Sequence, residues 1–107
     1  MSQVQIADEV LATIVSTATL EADGVAGFAP GTASDIAGRI SRKKNSRGVA
    51  IRVADNTVRV SVEIAVTGGV KIQDVAADVQ HKIKNAVETM TGFIAGEVNV
   101  HVTRLVA

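Results

Sequence analysis

Cysteine is absent from this 107-residue chain, which removes disulfide staples, thiol nucleophiles and thiolate metal sites together. The absence gives no sign of an oxidising compartment and fits a reducing cytosol. Tryptophan and tyrosine are also missing, leaving Phe28 and Phe93 as the only aromatic residues. Binders of single-stranded nucleic acid draw roughly 1–3 kcal/mol per base from aromatic stacking, so that mode of recognition is disfavoured. Neither sign of charge is in excess, because 11 Lys and Arg balance 11 Asp and Glu. No bulk field draws the chain toward phosphate or anionic lipid, and an electrostatic partner must be met by a local patch.

Long hydrophobic runs are missing as well. The longest uncharged stretches, Val10 to Leu20 and Gly24 to Ser34, fall short of the roughly 20 residues a membrane helix needs. The start, Met1-Ser2-Gln3-Val4, lacks the basic opening and apolar stretch of a signal peptide and has no glycine for myristoylation. The expectation is a cytoplasmic chain that reaches a membrane only indirectly, through a partner.

Catalytic material is equally scarce. The histidines are His81, on the wet side of a helical pattern, and His101, on the polar side of a strand pattern. A metal site built from both would need helix and strand to aim opposite faces at one point, and two solvated histidines are the plainer reading. Gly68-Gly69 is not followed by the Lys-Ser/Thr of a phosphate-binding loop, and no Gly-x-Ser-x-Gly or His-Glu-x-x-His string occurs. No catalytic, cofactor-binding or metal-binding residue is assigned, and no small-molecule substrate is expected.

What is present is an aliphatic core in a regular pattern. Val10, Leu11, Ile14, Val15 and Ala18 follow helical spacing between Asp8 and Ala22, with Asp8 placed to cap the start. Before them, Val4-Gln5-Ile6 alternates like a short strand, although Ser2 and Gln5 could instead form a capping box. Gly24-Val25-Ala26-Gly27-Phe28 suggests a turn into a brief extended segment. A short helix is predicted from Ser34 to about Lys43, then a polar, basic connection from Ser41 to Gly48. Val49, Ile51 and Val53 alternate with polar or small residues. The alternation resumes beyond Asp55-Asn56 as Val58, Val60, Val62, Ile64 and Val66, which predicts a hairpin. Ile72, Val75, Ala76, Val79, Ile83, Ala86, Val87 and Met90 form the stripe of a long helix stopped by Gly92. On its wet side Asp78 and Lys82, and Lys84 and Glu88, stand at ion-pair spacing. Val98, Val100 and Val102 mark a last strand ending near Leu105. Together these predict one α+β domain over residues 1–107. Its small open sheet consists of the hairpin, the C-terminal strand and a candidate N-terminal strand, with helices packed on one face.

Several separated strings resemble one known family. Glu9-Val10-Leu11, Gly24-Val25-Ala26-Gly27, Gly48-Val49, Val79-Gln80, Val87-Glu88-Thr89-Met90-Thr91-Gly92 and Val98-Asn99-Val100-His101-Val102 are similar, in order and spacing, to the alkaline shock (Gls-type) family of bacterial envelope stress-response proteins. The resemblance spans nearly the whole chain. It implies a non-enzymatic cytoplasmic protein that self-associates as a homo-oligomer and is held near the inner face of the membrane by a membrane-anchored protein of the same family. Thr67 departs from the pattern, which has an aromatic residue there, and the basic stretch from Arg39 to Arg47 is variable in the family.

Two surfaces follow from the residues. The polar sheet face, with Arg52, Arg59, Glu63, Asn99, His101 and Thr103, is a mixed-charge set suited to self-complementary protein contact. An ordinary wet sheet face looks the same in sequence. Unpaired sheet edges offer a second route, by strand addition. The competing reading is a KH-like RNA-binding domain, with Gly24 to Gly27 as its Gly-x-x-Gly loop and Arg42, Lys43, Lys44 and Arg47 as nearby charge. Val25-Ala26 inside that loop offers no donor side chain to phosphate.

Overall fold

The computed structural model describes residues 5–30 and 48–107. The helix predicted from Ser34 and the basic residues Arg42, Lys43, Lys44 and Arg47 lie outside the described residues.

The first helix, α1, spans Asp8–Glu21 and buries Leu11, Ile14, Val15, Ala18 and Thr19. Thr19 is tolerated there because its hydroxyl donates to the Val15 carbonyl one turn back, at 2.8 Å. Val10, expected on this stripe, is 49% exposed. It sits about 100° around the helix from Leu11, at the margin of a stripe centred on Leu11, Val15 and Ala18. Ala7, not Asp8, is the N-cap, and it makes no side-chain cap bond. Asp8 is instead the first helical residue, where a carboxylate still favours the positive end of the helix dipole. Gln5 to Ala7 have no regular structure, so they form no N-terminal strand, but Ile6 packs against the core.

Four strands follow the pattern of alternation: β1 (Val25–Phe28), β2 (Val49–Ala54), β3 (Thr57–Thr67) and, after the second helix, β4 (Ile94–Val106). Ala54 pairs with Thr57, so Asp55-Asn56 is a two-residue hairpin turn, with Asp55 in the left-handed region at φ 56°. β3 is the spine of the sheet. β4 runs parallel to it from Thr57 to Thr67 and occupies that entire edge. β2, opposite residues 57 to 62, and β1, opposite residues 64 to 66, therefore share the other edge end to end, both antiparallel. The brief extended segment after Gly24 is thus a full member of the sheet.

The second helix, α2, spans Ile72–Thr91 and connects β3 to its parallel neighbour β4. Val75, Val79, Ile83 and Val87 are its buried stripe. The outer members of the predicted stripe overhang the core, Ile72 being 43% and Met90 68% exposed. Gly92 ends the helix in the left-handed conformation at φ 81°, its N–H donating to the Glu88 carbonyl. Both helices lie on the sheet face carrying Val58, Val60, Val62, Ile64 and Val66, each at most 1% exposed. The architecture is the predicted one, helices on one face of an open α+β sheet.

Candidate interaction surface

Strand alternation turns every second residue of β2, β3 and β4 away from the helices, and the pairing register places these residues in rows. Arg52, Arg59 and Glu97 form one row across the three strands. Ala50, Ser61 and Asn99 form the next, and Glu63 lies beside His101 in the third. On the β2 side, Gly48 adjoins Glu63, whose N–H donates to the Gly48 carbonyl at 2.8 Å. Five of the six residues expected on the polar face, Arg52, Arg59, Glu63, Asn99 and His101, are brought together there.

Two further charges join them. Glu97 continues the outward alternation of Asn99 and His101 and was legible in the sequence as the next position of that pattern. Arg104 was not, because the pairing register slips between Ile64 and Ala65 and Thr103 becomes an extra residue in β4. The slip sets Arg104 beside outward-facing Ala65, where uninterrupted alternation would have sent it inward. Thr103, expected among the face residues, is the residue at the irregularity, and its hydroxyl donates to the Ala29 carbonyl. Among the described residues, no hydrogen bond or ion pair engages the side-chain polar groups of Arg52, Arg59, Glu63, Glu97, His101 or Arg104.

The free edge of β4 is guarded over its first half. Gln80 of α2 donates through Nε2 to the Val98 carbonyl at 3.0 Å, and the Ala95 N–H donates to Glu88 Oε2 at 3.1 Å. Glu88 therefore does not form the ion pair expected with Lys84, whereas Asp78 and Lys82 do approach, at 3.9 Å. Ala77, Gln80, His81 and Lys84 of α2 and Ala95, Gly96 and Val98 of β4 line a shallow open groove. His81 thus lies on the helix side of the sheet and His101 on the other. Among the described residues, no group of three or more His, Asp and Glu is arranged to hold a metal.

Gly24 and Gly27 do not form the exposed loop a KH-like reading requires. The segment runs directly into β1, with Val25 opposite Val66 and Gly27 opposite Ala65. Gly24 has a structural reason of its own. Its φ is +91°, and a Cβ there would stand 2.7 Å from a methyl of Val75, so glycine lets β1 enter the sheet tightly against α2.

The family model of the Asp23 family, of cell envelope-related function, matches residues 1–107. The chain belongs to the Asp23 family. Its relatives include the uncharacterized proteins YqhY and YloU of Bacillus subtilis (strain 168). Each is 34% identical over 102 residues, covering 95% of this chain and 76% of YqhY, and 94% of this chain and 85% of YloU. The uncharacterized protein Spy1614 of Streptococcus pyogenes serotype M6 is 33% identical over 104 residues, covering 95% of this chain and 86% of that protein. The alkaline shock resemblance read from the separated strings is this family relationship. Among solved structures, MamM CTD variants share the fold with a TM-score of 0.55. One is 12% identical, covering 90% of this chain and 95% of its own, and another is 14% identical, covering 90% and 93%. At that identity the likeness is one of fold alone. Among the described residues, no helix of this Asp23-family chain is long and apolar enough to cross a membrane.

Proposed function

We propose that this Asp23-family chain is a non-enzymatic bacterial envelope stress-response protein that acts by binding other protein chains. It self-associates on the cytoplasmic side of the membrane and is held there by a membrane-anchored protein of the same family. Family membership supports the envelope role. The observation that carries the binding half is the sheet face opposite the helices, where five charged side chains and the His101 imidazole make no hydrogen bond or ion pair among the described residues. Mixed charges left unengaged within a chain suit recognition, because charge complementarity fixes register and partner choice more than it adds affinity.

Fractionation of bacterial cells tests the proposal. The chain accompanies the membrane when a membrane-anchored relative is present and moves to the soluble fraction when that relative is deleted. A distribution indifferent to every such relative contradicts the membrane half of the reading.

A further inference from the structure

The charges on the outer sheet face are arranged so that the face complements itself. Along β3, Arg59 precedes Ser61 and Glu63 follows it. Along β4, Glu97 precedes Asn99 and His101 follows it. A two-fold axis lying along the Ser61–Asn99 row, parallel to the sheet and perpendicular to its strands, exchanges the rows on either side. In two sheets stacked on that axis, Arg59 of each copy meets Glu63 of the other, and Glu97 of each meets His101 of the other. Arg52 then faces Gly48, which has no side chain to oppose it, and Arg104 faces the neutral Ile94. No like charges meet, and each strand lies over its own counterpart from the Arg59 row to the Glu63 row; beyond Glu63 the face is closed within the chain, where Ala29 bonds both Glu63 and Thr103 and Ala65 is 5% exposed. A two-fold along the strands between β3 and β4 would also match opposite charges, but it would leave β2 and Arg52 uncovered.

We propose that this face is an isologous interface between two copies of the chain, packed sheet to sheet about the Ser61–Asn99 row. The proposal rests on the self-association reading above and assigns its surface. In an isologous contact one residue pair occurs twice by symmetry, so each matched pair acts doubly. Within one chain Arg59 and Glu63 stand about 13 Å apart at ~3.3 Å per residue and form no ion pair, so reversing either charge breaks no internal bond. The absence of aromatic anchors leaves charge and shape to set the register.

Charge exchange tests this, with circular dichroism confirming that each variant folds and sedimentation reading association. Wild type self-associates. Arg59→Glu alone and Glu63→Arg alone each lose association by about tenfold or more, because each places like charges opposite one another twice. An equimolar mixture of the two single variants recovers association as a heterodimer, since one copy then presents only acidic and the other only basic groups at these positions. The double variant, with both substitutions in one chain, associates like wild type. Wild-type association indifferent to all these changes overturns the surface assignment and leaves self-association standing. A wild type that stays monomeric overturns both.

Discussion

Arg52 on β2 stands directly opposite Arg59 on β3, two like charges paired across strands in the same row of the outer face. Like charges at this position oppose folding, whereas an opposite-charge cross-strand pair contributes roughly 0.2–1 kcal/mol. Arg52→Glu is therefore expected to stabilise the isolated fold by about that amount, read as a higher Tm in dilute solution, where association is least. An unchanged or lower Tm would mean that the two guanidinium groups do not oppose each other. A chain that retains such a pair keeps positive charge on this face despite its local cost.

Glu88 holds the start of β4 by accepting the Ala95 N–H, and Thr91 helps the chain turn between them by accepting the Phe93 N–H at 3.0 Å. Glu88→Ala is expected to cost about 1–3 kcal/mol, because it leaves a partly buried donor without its partner. Hydrogen exchange at Ala95 should quicken at the same time. Lys84→Ala should change stability by less than about 0.5 kcal/mol, since its side chain makes no ion pair among the described residues. Equal losses from the two variants would restore the ion pair that the spacing suggested.

The outcome at Glu88 shows what was legible in the sequence. Period-two alternation from Val58 to Val66 and the helical stripe from Val75 to Val87 located the core correctly, because burial of an aliphatic face imposes its own period. The polar face followed at once as its complement, including Arg52, Arg59, Glu63, Asn99 and His101. Which partner a polar group chooses was not legible. Glu88 faces Lys84 at ideal helical spacing, yet the edge strand beneath offers a backbone donor, and no periodicity reports that strand's register. Arg104 was not legible for the same reason, since the irregularity at Thr103 shifts the phase of β4 with no compositional mark. Val25-Ala26 could be read as loop or strand from four residues, and only pairing with β3 decides it.

Gly24 is predicted to be irreplaceable for space as well as backbone conformation. Gly24→Ala combines a φ of +91° with a 2.7 Å contact to Val75, and a loss of about 1–3 kcal/mol is expected. Adding Val75→Ala should recover the steric part only. A Gly24→Ala variant as stable as the parent would contradict the close packing of β1 against α2.

Ile83 and Val10 separate core from surface. Ile83, fully buried on α2, should cost about 2–5 kcal/mol when changed to Ala, whereas Val10→Ala on the exposed flank of α1 should stay within about 0.5 kcal/mol. Chemical denaturation of the two variants measures both, and comparable losses would relocate the helix stripe.

Sedimentation velocity of the wild-type chain over a wide concentration range, alone and with the soluble part of a membrane-anchored relative, tests the binding account most directly. The account predicts that the chain shifts to faster-sedimenting species as its concentration rises, and that it co-sediments with the relative. A single monomeric boundary at every concentration, unchanged by the relative, would contradict it.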